Sequence, residues 1–198
     1  MDLLQDLTIA FLVAPEGVEQ DELTEPWGAV LRAGGIPRLI STQQGGVQAF
    51  RQLDRGGLYL ADETVRQGAV DGYDGLVLPG GVAGPDYLRT RPEAVAFAKS
   101  FFDSGKPVAA IGHAPWLLIE AGVVQDRTLT SWPSLRTDLA NAGARWVDVP
   151  VQICTRGPNT LVTSRRPDDL PAFCAAVVAE FAQAGRRRAE LAGPSPVA

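Results

Sequence analysis

The sequence predicts an α/β protein with a doubly wound, mostly parallel sheet sandwiched by helices. Strand patterns alternate with helical patterns along almost the whole chain, as such a fold requires. The strand patterns are continuous apolar, β-branched runs, which are typical of strands that a parallel sheet buries on both faces. With 198 residues, 45% of them hydrophobic, the chain is long enough for one domain with a sizeable core.

The first part of the chain places a helix between strands. Residues 7–14 (LTIAFLVA) form the first buried run, and residues 21–35 carry apolar side chains at helical spacing before a Gly-Gly stop. Residues 36–42 (IPRLIST) predict a second, short strand. Residues 57–65 have no helical period, which predicts an extended or hairpin segment. Residues 74–81 (DGLVLPGG) predict a buried strand that ends in a Pro-Gly-Gly turn.

The second part continues the alternation. Helical spacing over residues 91–106 is followed by a strand at 107–112 and a helix at 114–124. An amphipathic helix after Asp169 closes the fold. Further short strands are predicted at 127–131, 146–153 and 159–164. We therefore predict a single domain over residues 1–184 and a flexible C-terminal tail over residues 185–198.

Composition and charge argue against several classes of partner. The net charge of −5 argues against nucleic acid. No apolar run approaches the roughly 20 residues that span a bilayer, and the acidic opening is unlike a signal peptide, so we expect a cytoplasmic protein without a membrane partner. The two cysteines, Cys154 and Cys174, do not make a disulfide framework, and no spacing suggests a metal or a cofactor.

Three loops are expected to meet at one edge of the sheet. In doubly wound sheets, ligands bind where the carboxyl ends of the strands meet the loops. The loops that follow strands there are residues 14–22 (APEGVEQDE), 79–86 (PGGVAGPD) and 111–115 (IGHAP). The functional site is therefore expected among these loops.

The Pro-Gly-Gly loop has more than one interpretation. A phosphate cradle is weakly supported, because the loop lacks the P-loop ending and the dinucleotide-binding spacing. An oxyanion hole fits better, with N–H groups from Gly80 or Gly81 and from the start of the next helix. The alternative is a tight turn that needs glycine backbone angles and has no chemical role.

The third loop has the pattern of a nucleophile elbow, in which a strand turns sharply into a helix. Such a corner strains its central residue by roughly 1–3 kcal/mol, and glycine at position 112 relieves that strain. His113 is the only histidine, so any imidazole chemistry must occur there. Glu19 lies in the first loop among four other carboxylates, one of which can point inward across the sheet edge. Spacing alone does not identify that carboxylate.

Five segments together resemble the PfpI-type intracellular peptidases of the ThiJ/PfpI superfamily, which has a class I glutamine amidotransferase-like fold. The resemblance covers residues 7–184 in order and implies a flavodoxin-like sandwich with a nucleophile elbow. It also implies a homodimer or a higher homo-oligomer. The segments are PEGVEQDELTEP, DGLVLPGGVAGPDYLR, GKPVAAIGHAPWLLIEAGVV, TLTSWPSLRTDLANAGARWVD and NTLVTSRRPDDLPAF.

The resemblance also implies a set of site residues. The elbow of the family reads Ala-Ile-Cys-His-Gly-Pro against AIGHAP here, so its reactive cysteine falls on Gly112 and its histidine on His113. Its elbow-facing glutamate is aligned with Glu19. The acidic residue that a neighbouring subunit lends to the histidine is aligned with Asp86. The oxyanion and substrate-binding positions are expected at Gly80, Gly81, Ala114 and Trp116.

The missing sulfur determines the functional prediction. Related proteins are described as peptidases, glutathione-independent glyoxalases or deglycases, and each route begins with sulfur attacking a carbonyl. We therefore predict a stress-associated family member that is inactive as a thiol enzyme and has a small carbonyl compound or a peptide as its ligand. One alternative is a cysteine peptidase, glyoxalase or deglycase whose nucleophile position has been substituted by design. A third, less favoured hypothesis is a thiol-free reaction run by His113 and a carboxylate.

Overall fold

The computed structural model of the chain describes residues 2–65 and 69–192. The strands are β1 (Thr8–Val13), β2 (Glu16–Glu19), β3 (Ile36–Ser41), β4 (Gly46–Arg51), β5 (Asp54–Leu60), β6 (Glu63–Thr64), β7 (Gly75–Leu78), β8 (Val108–Ile111), β9 (Thr128–Leu129), β10 (Arg145–Trp146), β11 (Val151–Cys154) and β12 (Leu161–Ser164). The helices are α1 (Gln20–Arg32), α2 (Ala83–Arg89), α3 (Pro92–Asp103), α4 (Pro115–Glu120), α5 (Arg136–Asn141) and α6 (Leu170–Ala192).

The main sheet has seven strands in the order β11-β12-β8-β7-β1-β3-β6. Neighbouring strands pair in parallel, except that β11 pairs antiparallel with β12. The chain starts at β1, winds through β3 to one edge, and then returns through β7 and β8 to the other edge. This reversal places the loops after β1, β7 and β8 together at the carboxyl ends of the strands, where ligands bind in such sheets. The predicted fold class is confirmed.

The sheet separates two apolar layers, and β1 shows how the sequence builds both. Ala10 and Leu12 pack into the layer that contains α3 and α4. Ile9, Phe11 and Val13 pack into the layer that contains α1 and α6. Side chains alternate between the faces of a strand, and here both faces are buried. The continuous apolar run in the sequence follows from this arrangement.

Two small sheets cover the edges of the fold. β4 and β5 form an antiparallel hairpin, and β2 pairs in parallel with β4. The segment 57–65 is thus extended as predicted, since it contains the end of β5 and all of β6. β9 and β10 pair in parallel beside the loop that follows α4.

Two predicted boundaries differ in the structure. The strand predicted at 146–153 is divided into β10 and β11, because the chain leaves the small sheet after Trp146 and joins the main sheet at Val151. The last helix continues to Ala192, so residues 185–192 are helical and not part of a tail; residues 193–198 lie outside the described part. Arg188 on this extension forms an ion pair with Asp74. None of the helices in the described ranges is long and apolar enough to cross a membrane.

Candidate functional site

The turn between β8 and α4 is a sharp elbow centred on Gly112. Gly112 has φ +62°, a left-handed conformation that costs a residue with a side chain about 1–2 kcal/mol. Two hydrogen bonds hold the turn: the Gly112 N–H donates to the Ser164 carbonyl at 3.2 Å, and the Gly112 carbonyl accepts from the Trp132 N–H at 2.9 Å. Helix α4 then begins at Pro115, a position where no backbone N–H is needed.

The side chain that faces this corner belongs to Glu22, which corrects the expectation that Glu19 would lie there. A Cβ atom on Gly112 would lie 2.8 Å from Glu22 Oε2 and 3.0 Å from Glu22 Oε1. Glu19 ends β2, and its Oε2 accepts a hydrogen bond from the Gln52 N–H at 3.0 Å. The reason is the start of α1 at Gln20: its first turn directs Glu22 toward the sheet and leaves Glu19 outside the helix.

Glu22 is a buried carboxyl group that is mostly protonated at neutral pH. Only 3% of the surface of Glu22 is exposed to solvent. Burial raises the pKa of Glu22 to about 8, and the nearby charge of Glu19 adds to the rise. The Gly80 N–H donates to Glu22 Oε2 at 2.9 Å and lowers the pKa, but this contribution is smaller than that of burial. A protonated carboxyl can donate a hydrogen bond, so Glu22 offers both a donor and an acceptor beside Gly112.

The Pro-Gly-Gly turn lies directly against the elbow, since a Cβ atom on Gly80 would be 3.1 Å from His113 N. The Gly80 N–H is already bound to Glu22, so it is not free as an oxyanion donor. The Ala114 N–H donates within the elbow, at 3.1 Å, to the carbonyl of the last β8 residue. Among the hydrogen bonds between residues that the structure describes, none uses the N–H of Gly81 or of His113. These two groups are the remaining candidates for an oxyanion hole.

His113 lies between two indole rings. Its ring stacks on Trp132, with centroids 5.6 Å apart and an interplanar angle of 23°, and the tilted ring of Trp116 is 5.1 Å away. Ser134 Oγ is 3.4 Å from His113 Nε2. Burial lowers the pKa of His113 from its ordinary value near 6.5, so the imidazole is neutral at pH 7. A neutral imidazole can accept a proton from a reacting group.

Trp116 lies on the histidine side of the elbow, whereas Asp86 makes no hydrogen bond or ion pair with His113 in the described part of the chain. The Trp116 Nε1–H donates to Asp138 Oδ2 at 2.9 Å, and the Arg89 guanidinium lies 5.7 Å from the centre of the Trp116 ring. These two contacts hold the ring beside His113. Asp86 is exposed on the first turn of α2, where its carboxylate is accessible to a second molecule.

Sequence reasoning did not identify Trp132 and Ser134, which complete the surroundings of His113. Both belong to the loop after β9, whose position over the elbow is fixed by the Trp132 N–H bond to Gly112. No spacing in the sequence reveals that long-range bond. Glu22 was among the four other carboxylates of the first loop, and spacing did not distinguish it from Glu19.

Neither cysteine lies at the elbow. Cys154 is buried at the end of β11, where it pairs with Leu161 at the amino end of β12, at the opposite end of the strands from Gly112. Cys174 lies on α6, and burial raises the pKa of its thiol to about 11. Neither residue therefore supplies a thiolate to this site. Within residues 2–65 and 69–192, no three His, Cys, Asp or Glu side chains form a group that could hold a metal ion.

A mostly parallel sheet with a sharp strand-to-helix corner above its carboxyl edge, faced by a carboxyl group, defines a flavodoxin-like protein of the nucleophile-elbow class. Within that class, the sequence profile of the DJ-1/PfpI family matches residues 7–180. The chain therefore belongs to the DJ-1/PfpI family, and the resemblance to ThiJ/PfpI proteins is confirmed.

Three similar proteins illustrate the range of the family. Protein/nucleic acid deglycase 2 of Escherichia coli is 39% identical over 165 residues, which cover 83% of this chain and 92% of that protein. General stress protein 18 of Bacillus subtilis is 40% identical over 159 residues, covering 78% and 87% of the two chains. The crystal structure of Drosophila melanogaster DJ-1beta superposes with a TM-score of 0.77 at 27% identity, covering 96% and 99%.

Proposed function

We propose that this chain is a stress-associated DJ-1/PfpI protein of the cytoplasm that binds a small carbonyl compound or a peptide at the elbow and does not perform thiol catalysis. The observation that carries the proposal is Gly112: the corner has the left-handed backbone of an elbow, and the residue has no side chain. The similarity to a general stress protein and to a deglycase supports the cellular role and the carbonyl ligand.

The groups around Gly112 match a polarised carbonyl. The N–H groups of Gly81 and His113 are candidate donors to its oxygen, and the protonated Glu22 is a further donor beside it. Trp116 and Trp132 offer apolar ring faces on either side of the imidazole. In this proposal the chain retains the groups that orient a carbonyl compound and lacks the atom that attacks it.

The test compares the chain as written with Gly112→Cys and Gly112→Ala. Lactate formation from methylglyoxal and release of a peptide product are measured for all three. The Gly112→Ala variant has the same backbone strain as Gly112→Cys but no sulfur, so it is the matched control. We expect the chain with Gly112 and the alanine variant to stay near background, because loss of a covalent nucleophile can cost on the order of 10⁶ in kcat. Enzyme-like turnover by the chain as written would overturn the proposal.

The second candidate function is that of a cysteine glyoxalase, deglycase or peptidase whose nucleophile position has been substituted. The surroundings of Gly112 favour it, because Glu22 is buried and protonated and His113 is neutral and confined between rings. A Cβ atom at position 112 would lie 2.8 Å from Glu22 Oε2, so the end of the Glu22 side chain has to shift to admit it. Activity of Gly112→Cys at least about 10²-fold above Gly112→Ala would support this candidate. Equal, background rates for both would favour the binding function alone.

We also propose that the chain assembles with itself and that Asp86 of one subunit approaches His113 of another. The exposed position of Asp86 on α2 supports this arrangement. A carboxylate beside the imidazole would fix its tautomer and orientation. The consequence for the charge of His113 is tested below.

A further inference from the structure

A cavity of about 390 Å³ lies at the end of the sheet opposite the elbow. It is bordered by the loop before β12, where the Asn159 amide donates to the Lys106 carbonyl just before β8 at 2.7 Å. The cavity therefore opens at the amino ends of β8 and β12, whereas the elbow lies at their carboxyl ends. Its charged lining residues are Lys99, Asp103, Arg127 and Arg156.

Arg127 is a buried cation that lines this cavity. It is 4% exposed, and its guanidinium donates to the Asn159 side-chain oxygen at 2.7 Å and to the Asn159 carbonyl at 3.2 Å. The guanidinium carbon lies 5.1 Å from the centre of the Phe102 ring. Among the residues that the structure describes, no carboxylate lies within ion-pair distance of Arg127. Asn159 and the Phe102 ring are neutral, so these partners do not balance the charge of Arg127, whereas buried charges are normally paired.

The loop over Arg127 places Gly157 directly against the guanidinium. Gly157 has φ +98°, and a Cβ atom there would lie 2.6 Å from Arg127 Nη2. A side chain at Gly157, which also lines the cavity, would therefore press on the guanidinium. The neighbouring Arg156 is exposed at the rim, where it can reach an occupant of the cavity.

The charges around the cavity do not balance. Lys99, Arg127 and Arg156 are cationic, whereas Asp103 is the one acidic residue in the lining and is bound to Lys99 at 2.7 Å. The local excess of positive charge stands out in a chain whose net charge is −5. A concave, positively charged cavity concentrates anions from solution.

We infer that this cavity is a binding site for a small organic anion that carries a phosphate or carboxylate group, separate from the elbow. Arg127 holds the anionic group at the base, and Arg156 completes the pairing from the rim. Arginine suits this task because its planar guanidinium donates parallel hydrogen bonds to carboxylate or phosphate oxygens. The volume is that of a pocket for a small metabolite.

The experiment titrates the full chain with sodium phosphate in one arm and sodium succinate in the other, at constant ionic strength set with sodium chloride. Isothermal titration calorimetry gives the dissociation constant, and thermal unfolding gives the shift of the midpoint. We expect saturable binding in at least one arm, and the arm that saturates identifies the anionic group. The test variant is Arg156→Ala, because this exposed side chain is not needed for folding. Its affinity is expected to fall about tenfold, as for the loss of one charge-assisted hydrogen bond.

The matched control is Arg55→Ala, which removes an exposed arginine from the hairpin strand β5 and leaves the cavity intact. It has the same change in net charge as Arg156→Ala, so it should bind with unchanged affinity. Arg156→Lys keeps the charge without the planar donor pair and should lie between the two. The inference is overturned if neither anion saturates, or if Arg156→Ala and Arg55→Ala bind alike.

Discussion

Glu22 links the candidate site to the stability of the whole chain. Its pKa is raised to about 8 in the folded state, against an ordinary value of 4.5 that applies to the unfolded chain. The unfolded state therefore releases this proton first as the pH rises. The stability associated with Glu22 is complete below pH 4.5 and is lost between about pH 4.5 and 8, by an amount on the order of a few kcal/mol.

The prediction at Glu22 is that Glu22→Gln removes much of this pH dependence. Glutamine can still accept the Gly80 N–H bond but does not ionise. Urea unfolding between pH 5 and pH 8 measures the slope for both chains. Glu25→Gln is the control, because Glu25 is an exposed carboxyl on the same helix and lies away from the corner. Identical slopes for the natural chain and Glu22→Gln would contradict the assignment.

His113 offers a direct measurement, because it gives the only histidine signal in the spectrum. Its pKa is lowered by burial, and Trp132 covers one face of its ring. We expect Trp132→Ala to raise the pKa of His113 toward 6.5, since water would then solvate the imidazolium. The Hε1 chemical shift, followed by NMR as a function of pH, reports this value. Trp27→Ala, which removes an indole that packs on Phe11, should leave the His113 pKa unchanged.

At the scale of single residues, the sequence was sufficient to identify those site residues that are adjacent along the chain. Gly112 and His113 could be identified because a strand, a corner and Pro115 occur in direct succession. Glu22 could not be distinguished from Glu19, because the choice depends on the residue at which α1 begins. Trp132 reaches the site through a backbone bond between distant segments, which no local pattern encodes.

At the scale of elements, the buried strands were predictable because both faces of each strand require apolar residues. The β1 run is the clearest case, since alternate residues fill different layers of the core. The division of segment 146–153 into two strands was harder to predict. A polar interruption between two short strands looks the same in sequence as an irregularity within a single strand. The extension of α6 to Ala192 carries the ion pair of Arg188 with Asp74, a contact between segments distant in sequence that no local pattern reveals.

A side chain at position 112, the corner between β8 and α4, is expected to destabilise the protein for two separable reasons. Gly112→Ala adds left-handed strain and also crowds Glu22, whose Oε2 would lie 2.8 Å from the new Cβ. Gly122 has a similar φ of +68°, but a Cβ there would meet nothing within 4 Å, so Gly122→Ala reports strain alone. We expect Gly112→Ala to lower the free energy of unfolding by roughly 1–3 kcal/mol and by more than Gly122→Ala. If chemical denaturation shows equal losses of unfolding free energy for the two variants, the side chain of Glu22 moves aside without an energetic penalty.

At the scale of the whole molecule, the two ends of the sheet present different chemistry. The carboxyl end presents a set of donors around Gly112, whereas the cavity at the amino end is lined by Lys99, Arg127 and Arg156. The central strands that connect them are buried and rigidly paired. Substitutions at one end are therefore expected to be additive with those at the other, as for distant sites without shared partners.

Self-association should appear as a change in the charge of His113. If Asp86 from a second subunit lies beside the imidazole, its carboxylate stabilises the imidazolium and raises the pKa of His113. Asp86→Asn removes that charge and should lower the His113 pKa measured by NMR. The same solutions, examined by light scattering, should show a mass of at least two chains.

Glu93→Gln, which removes a carboxylate from the first turn of α3, is the control for a change in net charge. A strictly monomeric chain, or a His113 titration that Asp86→Asn leaves unchanged, would contradict a site shared between subunits, because the carboxylate would then not be supplied across the interface.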